Sequence, residues 1–343
     1  MKSKKFAVLA GADMAGGVTA MKNAKFAALV LIGAALASNA CAQTWPTRVV
    51  RVITGSVAGG GADITGRPIA QRLSEQLKQQ VIIDNRPGAA GLLASDLVAK
   101  AAPDGYTLLL APGSFFIITS YLNARPPYDP LTLFTPVAQL DSYSFVVVVH
   151  PSVPAKNPQE LLAVARARPG ALSFVSSGVG SNFHLAGELF KLRGKVDLWH
   201  VPYKGSPQAI IDLLAGRADV MFIGVPAVLP HIKSGRLRAV GVTGLKRNPL
   251  LPDVPTIAES ALPGYEINGW EGLFAPLGTP REIVNRVNAM INEILAAPEL
   301  RELWTSKGVD FIPNTPEQFA ARVREDYDNV GRIIKAAGIK AEQ

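Results

Sequence analysis

Two short loops hold the residues best placed to do chemistry. One reads Gly55-Ser56-Val57-Ala58-Gly59-Gly60-Gly61 and runs into Ala62 and Asp63. The other reads Ser176-Ser177-Gly178-Val179-Gly180-Ser181 and runs into Asn182 and His184. Each precedes a helical pattern. A helix N-terminus offers unpaired backbone N–H groups and a partial positive charge. Glycine lets the backbone approach a ligand closely and adopt positive φ. Two such loops facing each other across a cleft would grip one small anion from both sides, carboxylate being the obvious one. Either loop alone reads as a turn; the pair at matching places is the signal. Arg86 and Lys204 would also attract an anion, though each alone reads as solvated or paired with a surface carboxylate.

Enzymatic readings of the same residues fare poorly. Neither loop completes G-x-G-x-x-G, since Ile64 and Phe183 stand where the last glycine should be. There is no phosphate-loop Gly-Lys-Ser/Thr and no H-E-x-x-H. The four histidines, His150, His184, His200 and His231, are dispersed and read as structural polar groups rather than metal ligands. An exported hydrolase using Ser176 or Ser177 with His184 and some aspartate is the alternative, but no G-x-S-x-G elbow supports it. No cofactor and no metal are expected.

The elements that must position the loops follow from periodicity. A strand is predicted over 49–53; after the first loop, Ile69, Leu73 and Leu77 form one helix stripe. A strand over 81–83 ends at Asn85-Arg86-Pro87-Gly88. A helix over 92–101, a turn at Pro103-Asp104-Gly105 and a strand over 106–110 follow, the last ending at Ala111-Pro112-Gly113-Ser114. This alternation implies parallel strands with right-handed crossovers. The pattern returns with strands over 172–175, 198–201 and 219–223, ended by Ser176, by Pro202-Tyr203-Lys204-Gly205 and by Gly224, with helices over 185–192 and 209–214 between them. Gly60 to Gly88 spans 28 residues and Gly178 to Gly205 spans 27, so two equivalent α/β lobes are expected. In open parallel sheets ligands sit at the carboxyl ends of the strands, where these loops fall.

Residues 135–150 are long for one strand and rich in valine; they read as a strand leaving the first lobe for the second. Residues 237–243 read as the last strand of the second lobe and 270–275 as the return crossing, so the two crossings form a hinge. Three helix starts pair a capping side chain with proline and then Glu or Gln: Asn157-Pro158-Gln159-Glu160, Thr279-Pro280-Arg281-Glu282 and Thr315-Pro316-Glu317-Gln318. After Thr279, Ile283, Val287, Met290 and Ile294 mark one apolar face.

The composition is that of a globular protein: 343 residues, 48% hydrophobic and 18% charged, with 31 Gly and 26 Pro. The single cysteine, Cys41, can close no disulfide within the chain. Residues 21–42 read as a signal peptide, with Lys22 and Lys25 before an apolar run of about 12 residues and Ala40-Cys41-Ala42 as the cleavage site. Met21 is then a plausible true start and residues 1–20 upstream leader. A lipoprotein acylated on Cys41 is the weaker alternative, because Ser38-Asn39-Ala40 lacks an upstream aliphatic residue. Removing residues 1–42 halves the formal charge of +8 to +4. No Lys/Arg run with interleaved aromatics suggests nucleic acid.

The mature chain resembles the Bug family, the extracytoplasmic solute-binding proteins of tripartite tricarboxylate transporters. The likeness spans residues 45–340. It rests on Trp45-Pro46, Ala58-Gly59-Gly60-Gly61-Ala62-Asp63, Val81-Ile82-Ile83-Asp84-Asn85-Arg86-Pro87-Gly88, Pro103-Asp104-Gly105-Tyr106-Thr107-Leu108 and Tyr128-Asp129-Pro130. In the second half it rests on the Ser-rich loop with His184, His200-Val201-Pro202-Tyr203-Lys204-Gly205, Leu251-Pro252-Asp253-Val254-Pro255-Thr256 and Ala275-Pro276-Leu277-Gly278-Thr279-Pro280.

The resemblance implies an α/β periplasmic-binding-protein fold of the type II kind, with two lobes joined by two crossing strands around a ligand cleft. Lobe 1 would take 43–145 plus 269–343, and lobe 2 146–268. It implies a non-catalytic periplasmic receptor that closes on a small carboxylate and delivers it to membrane transporter subunits, or serves a sensor kinase; a monomer is expected, since delivery needs both lobes free to move. The implied ligand-binding residues are Ser56, Ala58, Gly59, Gly60, Gly61 and Asp63 of the first loop, with Gly113 and Ser114. From the other lobe come Ser176, Ser177, Gly178, Gly180, Ser181, Asn182, His184, Tyr203 and Gly224, with ordered waters mediating. Two departures bear on specificity. The family's first loop usually reads Pro-Phe-Ala-Pro-Gly-Gly-x-Thr-Asp; here Ser56 replaces the aromatic and Ala62 the threonine. Gly224 stands where the family often has Asp, which can face an amino group. An aromatic or bulkier carboxylate is therefore expected rather than an amino acid.

Overall fold

A computed structural model describes residues 45–340 apart from 89–90, 124–125, 127, 307 and 312. The signal peptide, Met21 and Cys41 lie outside the described residues. The body from Arg48 onward is built on two mixed sheets. The first has β1 (Val50–Thr54), β2 (Val81–Asn85), β3 (Thr107–Pro112), β4 (Phe134–Gln139) and a late strand, Glu271–Pro276. The second has β5 (Tyr143–Val149), β6 (Ser173–Ser176), β7 (Trp199–Pro202), β8 (Val220–Gly224), β9 (Arg238–Val242) and β10 (Asn268–Gly269); Glu271–Pro276 is β11.

The two sheets share one plan. In the first the order is β2-β1-β3-β11-β4, with β1 parallel to β2 and β3, and β11 antiparallel to both β3 and β4. In the second, β7-β6-β8 are parallel, β5 runs antiparallel to β8, and β9 and β10 both pair antiparallel with β5. Each sheet thus receives one crossing strand from the other half. The predicted single strand over 135–150 is two strands, β4 and β5, broken at residues 140–142 where the chain changes sheet; the return change falls at Trp270, between β10 and β11.

Eleven described helices flank the sheets. Near the first sheet lie α1 (Gly61–Leu77), α2 (Leu92–Ala99) and α3 (Gly113–Leu122). With the second come α4 (Pro158–Ala167), α5 (Asn182–Gly194), α6 (Ser206–Leu214), α7 (Val225–Lys233) and α8 (Ile257–Ser260). The chain ends in α9 (Arg281–Ala296), α10 (Pro298–Thr305) and α11 (Pro316–Ala337).

Burial explains the valine run. On β5, Phe145, Val147 and Val149 join the core on one face of the second sheet, with Phe174, Phe190 and Phe222. Val146 and Val148 join the other face, with Met221, Ile223 and Leu213. A central strand covered on both sides needs apolar residues at every position. In the first sheet Phe116 stacks on Tyr128 and Phe274 and meets Phe134 edge-on, over Val98 of α2 and Phe319 of α11.

Two of the three predicted helix starts form as expected. Asn157 Oδ1 accepts from Glu160 N–H at 2.9 Å, and Thr315 with Gln318 closes a full capping box. Thr279 does not cap: its hydroxyl turns back to Pro276 O at 2.8 Å, and α9 starts after Pro280 with no side-chain cap. The buried face of α9 is accordingly Val284, Val287, Ile291 and Ile294, shifted by about one residue from that predicted, with Ile283 and Met290 at its margin.

Candidate ligand-binding cleft

The first loop is held by an acid of its own. Asp63, in the first turn of α1, accepts from Gly59 N–H at 2.9 Å, from Arg67 Nε at 2.8 Å and from Asn85 Nδ2 at 3.0 Å. The Arg67 guanidinium, above all, pulls its carboxyl down to about 2, with the Gly59 and Asn85 donors adding to the effect. Asn85 also donates to Ser56 O, tying the end of β2 to the loop. Asp63 therefore shapes the loop from beneath. Gly55 is required there: a Cβ on it would overlap the Cα of Gly91, where α2 begins.

The second loop is buttressed by two stacked imidazoles. His184 and His200 lie with ring centroids 3.9 Å apart, and Phe174 stacks on His200. His184 Nδ1 accepts from Gly180 N–H at 3.0 Å, and Ser181 caps α5 by accepting from His184 N–H at 3.2 Å. Gly180 has φ +74, a left-handed conformation that favours glycine. Burial, and for His184 also the neighbouring His200, drives the two histidines down to about 3 and about 4, so both are neutral at ordinary pH. His200 Nε2 lies 2.8 Å from Ser176 Oγ. Ser176 is fully buried, and this pair holds the loop from behind. The pairing expected for a hydrolase, with His184, does not form.

The two loops meet at a cavity of about 430 Å³. From the first loop it is lined by Ser56, with Val57 and Ala62; from the second by Ser177, Ser181 and Asn182. Pro87 and Gly88 after β2, Ser95 of α2, and Leu109, Ala111 and Phe116 complete the first side, and Phe183 the second. Both crossing strands contribute: Tyr143 from β5 and Glu271 from β11.

The remaining expected site residues stand behind this wall or away from it. Ala58, Gly59, Gly60 and Gly61 form the loop without lining the cavity, and Gly178 and Gly180 do the same opposite. Gly113 opens α3, where a Cβ would collide with the Trp270 ring; it borders a second cavity between α5 and α11, which Asn182 also touches. Ser114 follows it in α3. Tyr203 donates its hydroxyl to Asp212 at 2.5 Å, and Gly224 ends β8; neither lines the cavity. Sequence reasoning passed over Tyr143, Phe183 and Glu271. The readable signal was Glu271, a carboxylate at the head of an otherwise apolar crossing strand. Among the described residues, no cluster of His, Cys, Asp or Glu could hold a metal ion, and no helix is long and apolar enough to cross a membrane.

A family model described as tripartite tricarboxylate transporter family receptor matches residues 65–339. The chain belongs to that family. It is a solute receptor rather than an enzyme, and it is similar to BugT of Bordetella pertussis, with 34% identity over 90% of this chain and 94% of the relative. Two solved structures share the two-lobed fold. Rpa4515 of R. palustris with adipate is 35% identical, with a TM-score of 0.74, over 87% of this chain and 100% of that one. MatC from Rhodopseudomonas palustris with bound malate is 31% identical, with a TM-score of 0.70, over 84% and 100%.

Proposed function

We propose that this family member is a periplasmic receptor, exported by a signal peptide over residues 21–42. It captures a small carboxylate between two lobes and delivers it to a tripartite membrane transporter. In this reading lobe 1 runs to the change of sheet at residues 140–142 and resumes at Trp270, and lobe 2 lies between. The observation that carries the reading is the cavity, where loops from the two different sheets meet on one space. The first turns of α1 and α5 begin beside it, and a carboxylate between them accepts from main-chain N–H groups of both lobes. The adipate and malate of the two R. palustris proteins support the ligand class.

Thermal-shift screening followed by calorimetry tests this. A bound acid at a hundred times its Kd stabilises the folded chain by about 2.7 kcal/mol and raises Tm accordingly. The panel is adipate, malate, benzoate, aspartate and glutamate. With the small Ser56 on the wall where the family usually has an aromatic, benzoate is expected to outrank aspartate and glutamate. The opposite ranking refutes the specificity, and a flat response across the panel refutes the receptor reading.

A further inference from the structure

The links between the sheets carry two carboxyl groups for which neither loop accounts. Glu271 begins β11, and Asp141 stands between β4 and β5. Each is only 4% exposed. Asp141 is satisfied internally: Oδ1 accepts from the Glu271 backbone N–H at 2.7 Å, and Oδ2 faces the Thr65 hydroxyl of α1 at 3.5 Å. Glu271 is satisfied only in part. The residue lines the cavity, and its carboxyl interacts with Thr65 and Asp141, but its buried Oε2 has no hydrogen-bond partner. A buried polar atom without a partner is costly, and a native fold keeps few of them.

The titratable groups facing Glu271 are Asp141 and, on β5, Tyr143. Beside β11, β3 presents Leu109, Leu110, Ala111 and Pro112, and α2 brings Ser95 to the same cavity. On its other edge β11 pairs with Thr135, Pro136, Ala138 and Gln139 of β4, none of them ionisable. No cation faces the pair among the described residues, so burial decides its state. It raises both carboxyls, and repulsion from Glu271 raises Asp141 further; Glu271 is pushed up to about 7.

We propose that Glu271 is a ligand-recognition residue whose undissociated carboxyl donates a hydrogen bond to an oxygen at the far end of the bound acid. This rests on the carboxylate-receptor reading and narrows it. The ligand carries one carboxylate for the loops and a second oxygen acceptor for Glu271, as a dicarboxylate, hydroxy acid or oxo acid does. An ammonium at that place would instead have to expel the proton and stand as a buried ion pair among Leu109, Phe116 and Phe183, at a desolvation cost.

Calorimetry between pH 5.5 and 8.5 with two matched pairs, adipate against hexanoate and 4-hydroxybenzoate against benzoate, tests it on the intact chain. Wild type should prefer the member of each pair with the far oxygen at pH 6. That preference should fall toward tenfold per pH unit above about 7, as the donor is lost. E271Q, which keeps a donor but cannot ionise, should give a flat profile, and E271A should erase the preference. Equal binding within each pair, or affinity that rises with pH, overturns the proposal and leaves the receptor reading standing. Binding of none of the four acids at any pH overturns both. Infrared spectra of the ligand-free protein give an independent reading. Undissociated carboxyl C=O absorption at pH 6 that loses one component in E271Q, leaving that of Asp141, supports the proposal, and absorption that is unchanged in E271Q overturns it.

Discussion

His184, His200 and Glu271 are opposed titrating groups within one binding region. Each imidazole has its value pushed below the ordinary one, to about 3 and about 4. The unfolded chain therefore takes up protons near pH 6.5 while the folded chain does not. The stability this represents is present above about pH 6.5 and is lost as pH falls toward 4. Asp63, held down at about 2, adds a loss that begins below the usual carboxylate range. Glu271 runs the other way. Its carboxyl is raised to about 7, so its contribution is intact below about pH 4.5 and is lost as pH rises through 7. Each contribution is read by difference in calorimetric Tm from pH 4 to 8.5. The stability that wild type holds over E271Q should widen as pH falls from about 7 to about 4.5, and H200Q should lose less stability than wild type as pH falls from about 6.5 to about 4. A difference that does not change with pH rules out that assignment. Composition alone could not disclose these shifts: His200 and His184 are 16 positions apart in sequence, and only folding stacks them.

Helix starts show where local sequence suffices and where it does not. Thr315 forms its capping box because both halves of the device lie within four consecutive residues. T315A should cost about 1 kcal/mol, read as a lower urea midpoint at unchanged slope. A midpoint equal to wild type would mean that packing of Phe319 and Val323, both buried, holds that end without the cap. Thr279 carries the same signature, yet its hydroxyl is claimed by Pro276 O, the carbonyl that ends β11. The strands were legible for a similar reason: β1, β2, β3, β6, β7 and β8 are short apolar runs closed by Gly, Pro or Ser. The break at residues 140–142 was not, because the valines before His150 satisfy a strand pattern whichever sheet receives them. Of the cleft, both loops were legible from their glycines and serines. Tyr143 and Phe183 were not, since each reads as ordinary core until the two halves meet.

At the scale of the molecule, a third connection joins the halves besides the two crossing strands. Ile333 and Ile334 of α11 form a buried cluster with Ile118 of α3 and Leu185 of α5, and Leu189, Ile267 and Val330 pack against it. Ile118 belongs to the layer over the first sheet, and Leu185 and Ile267 to the half built on the second. The terminal helix therefore spans both, a contact invisible in sequence because α11 and α5 are far apart along the chain. A lobe closure that hinges at residues 140–142 and Trp270 must slide or carry this cluster. If α11 braces the free receptor, replacing both isoleucines with alanine lowers stability by about 2–5 kcal/mol for each buried side chain lost. It should also enlarge the ligand-free radius of gyration in small-angle scattering and leave a wild-type radius once a tightly bound acid closes the lobes. An enlarged radius in both states would mean that the cluster holds the closed form as well. A wild-type radius in the free state would mean that α11 rides on one half alone and the two strands suffice as the hinge.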